Sequence, residues 1–308
     1  MAEPRLAPVP AARTRRPAPG RSPADPRGAR PRARTLWRQF GRHRAGLVGL
    51  ATLTAFLIAG LFAPWLAPRD PYEIALEASL RGPDRDFWLG RDELGRDLLS
   101  RVIYGARLSL VIGVIAVAIG VGFGVPIGAI SGYFGGWLDL LVQRAIDVLL
   151  AFPGILLAIV LVAILGVGLP QVMVAVGIVS IPVYARLVRG QVLTMRSQEF
   201  VDAARALGAP TGRILWRHIL PNTVAVIIVQ STLQFASAIL SAAALGFLGL
   251  GAQPPAAEWG TMLSSARQYI RLAPHSVTFP GLAIMLTVLG FNLVGDAVRD
   301  ALDPRLRL

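Results

Sequence analysis

Apolar residues along this chain fall in long blocks separated by short polar stretches. An α-helix rises 1.5 Å per residue, so crossing a ~30 Å hydrocarbon core takes about 20 apolar residues. Six windows meet that requirement: Ala45 to Ala67, Leu108 to Ile130, Ala145 to Leu165, Val172 to Val188, Thr223 to Leu250 and Phe279 to Val298. They predict an all-α, polytopic membrane protein with six transmembrane helices. Pro126, Pro153 and Pro182 lie inside these windows. Each removes a backbone donor, which is tolerable only where neighbours re-satisfy the freed carbonyls, so the spans are expected to form a packed bundle. Gly120, Gly124 and Gly128 repeat at every fourth position of the second window. Without side chains there, another helix can approach closely, and packing within this chain is the favoured reading.

Residues 1–34 carry no such pattern. Prolines at 4, 8, 10, 17, 19, 23, 26 and 31 deny the segment a helix, and it reads as a disordered basic tail. Its Arg15-Arg16 pair is followed at once by a proline, with the first apolar block starting only near Ala45, so an export signal is the weaker reading. The remainder, 35–308, reads as one transmembrane domain.

Composition agrees with the pattern. The 308 residues are 54% hydrophobic and 16% charged, against roughly 45–50% apolar in soluble domains. The net charge of +13 would by itself fit a nucleic-acid binder, but the hydropathy argues for a lipid membrane and against nucleic acid as partner. All 31 basic residues are arginine, so the lysine-containing phosphate loop of an ATPase is absent. The absence of cysteine rules out disulfides, thiolate zinc clusters and cysteine nucleophiles.

Arginine placement sets the expected orientation. With the N-terminus inside, the inner segments hold 22 arginines and nine acids, and the outer segments nine arginines and nine acids. The whole excess is then cytoplasmic, and both termini with it. The first outer loop carries seven arginines, and eight acids from Asp70 to Asp97 neutralise them, which predicts an internally paired, folded loop.

The inner loop 189–222 is the most informative segment. Within Ser197 to Asn222, Phe200, Ala203, Ala204 and Leu207 fall on one face of a short amphipathic helix, Gly208 stands where it would end, and Pro210 follows. A second short helix, Gly212 to Leu220, is expected to stop at Pro221. Such a knob fits a docking element, with a helix lying on the membrane surface as the alternative. In the fifth window Gln230, Gln234, Ser237 and Ser241 form one polar stripe, and Asn292 raises the same question in the sixth. Two readings stand: lining of a translocation path, or interhelical hydrogen bonding worth ~0.6 kcal/mol on average. Asp139, Arg144 and Asp147 are spaced for a mutual ion pair, favoured over a proton relay. His43, His218 and His275 fall in separate loops, so no metal site is expected. The outer segment Ala256 to Ile270, with Trp259, Met262, Leu263 and Tyr269, is either a partner surface or a cap on the bundle.

The order Asp202-Ala203-Ala204, three residues, Gly208, nine residues, His218-Ile219-Leu220-Pro221 resembles the E-A-A-x3-G-x9-I-x-L-P loop of ABC importer permeases. Asp202 replaces the usual Glu and His218 the usual Ile, and R-H-I-L-P is a form of the peptide branch. LGRDELGRDLLSRVIYGARLSL (Leu89 to Leu110, Arg91 in place of Thr), GFLGLGAQPPAAEWGTML (Gly246 to Leu263) and FNLVGDAVRDALDPRLR (Phe291 to Arg307) are similar to the second permease subunit of dipeptide, oligopeptide and nickel importers. The resemblance runs from about Leu36 to Leu308. It implies a type I ABC importer permease fold without catalytic residues of its own. It also implies a second homologous permease subunit, two cytosolic ATPase subunits that bind ATP and Mg, and an extracytoplasmic solute-binding protein. The ATPase-coupling residues would be Asp202, Ala203, Ala204, Gly208, His218, Leu220 and Pro221, and the setting a bacterial or archaeal plasma membrane. The rival from another class is a proton-coupled secondary transporter, which would want inverted repeats and acids near the bilayer midplane.

Overall fold

The computed structural model describes residues 40–41 and 43–302. The expected tail 1–34 and the last residues of the C-terminal motif lie outside the described residues. Among the described residues every regular element is helical, and the sole β-type pairing is an isolated bridge between Arg91 and Asp97. The helices of eight residues or more are α1 (Arg44–Leu61), α2 (Leu98–Phe134), α3 (Gly136–Ala151), α4 (Gly154–Leu165), α5 (Leu169–Arg196), α6 (Glu199–Ala206), α7 (Leu220–Phe247), α8 (Trp259–Ala266) and α9 (His275–Leu302).

The centre of the bundle is the pair α2 and α5. Gly120 faces Ser180 and Tyr184, Gly124 faces Ile181 to Ala185, Gly128 faces Ala185, and Gly132 faces Arg189 and Val192. The numbers rise together, so the two helices run parallel, and the glycine ridge is what lets their backbones meet. That settles the ridge as packing within the chain. A parallel pair also requires the chain to return across the bundle between Phe134 and Leu169, and only α3 and α4 are available to do so. α9 runs antiparallel to both α1 and α7: Gly46 and Gly49 of α1 meet Ala297 and Gly290 of α9, Gly295 of α9 meets Thr232 of α7, and Phe235 of α7 stacks on Phe291 of α9 at 4.9 Å and 6°. The chain therefore crosses six times.

The third crossing is not the straight helix that its hydropathy predicts. α3 and α4 meet at 95°. Phe152, before Pro153, has φ −88° and ψ 138°, the extended conformation that proline's ring imposes on its predecessor. Pro126 and Pro182 remain inside continuous helices. Legs of 16 and 12 residues joined at that angle have an end-to-end chord of about 29 Å, enough for one crossing.

The expected pairing of Asp139 and Asp147 with Arg144 is corrected. Arg189 donates from Nε and Nη2 to the two carboxylate oxygens of Asp139, both at 2.6 Å, and Arg186 donates to Asp147 at 2.6 Å. The acids are paired structurally, but with α5, and the pairs brace α3 against it. Nearby, Arg196 donates to the Tyr133 carbonyl at 2.8 Å, tying the ends of α5 and α2.

Two ends follow from this connectivity. At the loop end lie residues 62–97, the start of α2, and the α7–α9 connection. At the knob end lie the start of α1, the ends of α2, α5 and α9, and residues 197–219. One apolar cluster occupies the knob end, around Tyr133, Tyr184, Val192, Val201, Ala204, Ile214 and Ile219. A middle cluster joins Ile112, Val162, Val176 and Ala238, and a third surrounds Leu98, Trp259 and Met262 at the loop end.

Candidate functional site

The knob is built from an abrupt turn. α5 ends at Ser197, Gln198 is extended, and α6 restarts with Glu199 and Asp202 in its first turn and Arg205 in its last, each charge complementing the helix dipole. Asp202 and Arg205 pair at 3.0 Å on the exposed surface. α6 ends in a reciprocal cap: Gly208 N–H donates to the Arg205 carbonyl at 2.9 Å and Ala209 N–H to Ala204 at 3.0 Å. Gly208 takes φ +76°, which a side chain disfavours, although the space around its α-carbon is open.

The apolar face expected on α6 is split. Val201 and Ala204 are buried among the knob-end cluster, whereas Phe200, Ala203 and Leu207 face out, Leu207 being 88% exposed. The face spans two surfaces because the missing inward anchor, Val201, shifts its centre by about one residue. The second short helix does not stop at Pro221. Thr211–Arg213 leads into a π-helical turn, Ile214–Ile219, that continues directly into α7. Widening the turn before the proline relieves the hydrogen bond that its ring cannot make. Ile214, Leu215 and Ile219 are buried, His218 is half-buried, and Asn222 donates to the His218 carbonyl at 2.6 Å. Leu220 and Pro221 therefore belong to the root of the fifth span. On its inner side α6 packs on the bundle through Val201 and Ala204.

Gln230, Gln234 and Ser241 are half-buried and Ser237 is exposed, and Asn292 is half-buried on α9. The Phe235–Phe291 stack sets the turns carrying Gln234 and Asn292 alongside each other. None of these five side chains makes a hydrogen bond among the described residues. The interhelical bond on this stretch of α7 is one that the spacing did not reveal: Tyr184 donates to Ser231 at 3.0 Å, and Ser231 in turn donates to the Ile227 carbonyl.

At the loop end the folded, internally paired loop is present. Arg96 donates to Asp92 at 2.6 Å and to Glu93 at 2.9 Å. Asp97 caps α2 through Ser100 N–H at 2.8 Å. Arg69 and Arg91 stack on Phe87 at 4.2 and 3.5 Å. Arg101 braces this loop to the α7–α8 connection by donating to the carbonyls of Pro71 at 3.1 Å and Pro255 at 3.5 Å. In the segment Ala256 to Ile270, Trp259 is a cap on the bundle: it is fully buried and its indole N–H donates to Val102 at 3.0 Å. Tyr269 is only a short way along the chain, and Ile270 and Leu272 stay exposed. Glu258 caps α8, accepting from Gly260 and Thr261 N–H at 2.8 and 2.9 Å. Burial pushes its carboxyl up from the usual range despite those two donors.

His43 caps α1 and meets Asp300 at 3.4 Å, while His275, at the opposite end of α9, contacts the Arg91 carbonyl. Among the described residues no group of His, Cys, Asp or Glu is disposed to hold a metal ion.

Comparison with known proteins locates these features in a family. Residues 124–308 match the family described as binding-protein-dependent transport system inner membrane component, and residues 32–83 match the N-terminal TM domain of oligopeptide transport permease C. The chain is 50% identical over 274 residues, 89% of its length and 90% of the relative's, to the dipeptide transport system permease protein DppC of Alkalihalophilus pseudofirmus. It is 49% identical over 273 residues, 88% and 90% of the two lengths, to the glutathione transport system permease protein GsiD of Escherichia coli O6:K15:H31. Among solved structures it resembles a chain of the MetNI methionine ABC transporter in an inward-facing conformation. That match has a TM-score of 0.55 and 19% identity, and covers 67% of this chain and 98% of that one. Six crossings, a knob rooted in the fifth span, and matches that together reach from residue 32 to residue 308 lead to one conclusion: the chain belongs to the binding-protein-dependent transport system inner membrane components, as a permease of the C type.

Proposed function

We propose that this chain is one of two permease subunits of an ATP-driven importer for peptides or related small solutes. The single observation that carries the reading is α6: welded to the bundle through Val201 and Ala204, it presents Phe200, Ala203 and an 88% exposed Leu207 outward. A rigid apolar projection of that kind fits the groove of a partner. In this reading the partner is one of two cytosolic ATPase subunits, and ATP and Mg bind there, since this chain has no lysine for a phosphate loop. Asp202, Ala203, Ala204 and Gly208 shape the projection, and His218, Leu220 and Pro221 root it.

The knob end is cytoplasmic, with both termini, because that orientation keeps the arginine excess inside. The loop end faces an extracytoplasmic solute-binding protein. The tail 1–34 is a basic cytosolic appendage to the permease domain 35–308. Gln230, Gln234, Ser237, Ser241 and Asn292 line the translocation path with the second permease subunit. The reading is supported by their lack of partners among the described residues, since polar groups in a membrane face a wet cavity or another protein. The relatives' names, dipeptide and glutathione transport, support a peptide-sized solute.

The test is purification with the neighbouring subunits, followed by uptake in vesicles. Uptake should require ATP and survive collapse of the proton gradient; the opposite result would establish the proton-coupled alternative. Gly208→Arg and Leu207→Asp should leave the complex assembled in the membrane while uncoupling ATP hydrolysis from uptake. Normal ATP-driven uptake by both variants would remove α6 from the coupling role.

A further inference from the structure

The bent third crossing turns one helix sideways. α4 lies antiparallel alongside α5: residues 166–168 join the two, and Gly154, at the far end of α4, faces Val179. Since α3 meets α4 at 95°, it crosses α5 nearly at right angles. The two ion pairs agree. Asp139 and Asp147 are separated by about 12 Å along α3, yet they reach Arg189 and Arg186, which are only about 4.5 Å apart along α5. α5 crosses the membrane, so α3 runs mostly along the membrane plane, at the level where the apolar stretch of α5 ends near Val188. Ile146 and the ion pairs hold its inner side. Outward, at i, i+4, i+7 and i+11, α3 presents Trp137, Leu141, Arg144 and Val148, all exposed. Trp137 is 74% exposed, and Arg144 has no hydrogen-bond or charge partner among the described residues.

An apolar face with an unpaired cation in it suits neither water nor hydrocarbon alone. Water would leave Trp137, Leu141 and Val148 uncovered, and the bilayer centre would strand Arg144 without a counter-charge. The headgroup boundary meets both needs: the apolar side chains enter the acyl region, the indole takes its preferred interfacial depth, and the guanidinium reaches a phosphate with paired N–H donors. A second patch lies at the same level. Arg213, Trp216 and Arg217 are exposed and neither arginine has a partner among the described residues, while Ile214 and Ile219 of the same turn share the knob-end cluster with Val188 and Val192 of α5. We propose that the outer face of α3 is a phospholipid-binding surface, on which Arg144 holds the phosphate of an anionic lipid while Trp137, Leu141 and Val148 seat in its leaflet. That leaflet is cytoplasmic under the orientation proposed above; the lipid contact itself does not rest on it.

The chain has no cysteine, so Trp137→Cys, Leu141→Cys and Val148→Cys each give it one attachment point for a nitroxide in the assembled complex, reconstituted in vesicles of phosphatidylcholine and phosphatidylglycerol. Depth is read from accessibility to oxygen against a water-soluble nickel chelate. All three labels should favour oxygen, at depths within about 6 Å of one another, whereas a helix aligned with the crossing would spread them over about 16 Å. That spread, preference for the chelate, or exclusion of both reagents by a covering protein subunit would each overturn the surface. For the headgroup, a photoactivatable phosphatidylglycerol should crosslink to residues 137–148 of the parent about fivefold more than its phosphatidylcholine counterpart. Arg144→Gln should abolish that preference and Arg144→Lys restore most of it; equal crosslinking of the two lipids in the parent, or an unchanged preference in Arg144→Gln, would overturn the role of Arg144. Labels at the expected depths that an impermeant reductant reaches from outside sealed right-side-out vesicles would keep the lipid surface and strike the orientation instead.

Discussion

Adding one methyl group at two neighbouring glycines of α2 should have opposite effects. A β-carbon at Gly124 would lie 2.6 Å from the Ile181 carbonyl oxygen and 2.7 Å from Tyr184 Cβ, whereas one at Gly122 meets nothing within 4 Å. Ordinary contact begins near 3.4 Å, so Gly124→Ala forces α2 and α5 apart locally by about 0.8 Å. A gap of that size forfeits roughly a quarter to a half of each affected contact's attraction, and overpacking of this kind costs about 1–3 kcal/mol. Both substitutions gain the same ~1 kcal/mol of helix propensity, so it cancels between them. Gly124→Ala should therefore be about 1–3 kcal/mol less stable than Gly122→Ala. At roughly 2–4 °C per kcal/mol for a chain of this size, their melting temperatures differ by about 2–12 °C. Thermal unfolding of the purified complex in one detergent, followed by fluorescence and by retention of the monodisperse peak, measures this. Indistinguishable melting curves would refute the claim that the glycine ridge is what brings the parallel helices together.

Further outcomes follow from the ion pairs, the knob and the buried carboxyl. Asp139→Ala should cost about 1.5–3 kcal/mol because it removes both acceptors of Arg189's paired hydrogen bonds, while Arg186→Ala should cost less than about 1 kcal/mol because that pair is half exposed; melting of the two variants ranks them. Gly208→Ala should destabilise α6 by about 1–2 kcal/mol through its positive φ alone, read as faster amide exchange across 199–209 with no change elsewhere. Glu258 binds its proton more tightly folded than unfolded. Its contribution to holding α8 is thus full below the unfolded carboxylate value of about 4.3 and is lost as pH rises through the higher folded value. Proteolysis of 253–266 should accelerate across that rise, and Glu258→Gln should flatten the dependence.

Hydropathy located all six crossings because lipid imposes one requirement, a long apolar surface, that any window average detects. It missed where helices end: α2 begins ten residues before its apolar window, since Asp97 can cap a helix outside the hydrocarbon as well as within it. Prolines were ambiguous for a similar reason. Pro153 breaks its span, Pro126 and Pro182 do not, and Pro221 is absorbed by a π-turn; the outcome depends on whether packed neighbours hold the preceding residue helical. Local spacing paired Asp139 and Asp147 with Arg144, but their partners lie 50 and 39 residues away on α5. In the knob, the short helix and the Gly208 turn that ends it were legible. Its inward anchor Val201 was not, because only the packed bundle distinguishes which edge of an apolar face is covered.

The π-turn that carries the chain through Pro221 makes Thr211–Phe247 a single element of 37 residues, roughly 55 Å from tip to tip. A helix unbroken between its ends passes tilt at one end to the other, and the π-turn is where it would bend first. A tilt of 5° about its midpoint moves each tip by about 2.4 Å in opposite directions. One tip adjoins α6, and the other ends at Gly246 and Gly249, in the wall of a cavity beside Arg101. One continuous helix thus runs between the two faces of the protein, and loosening it at its π-turn should weaken whatever motion passes between them while leaving each face intact.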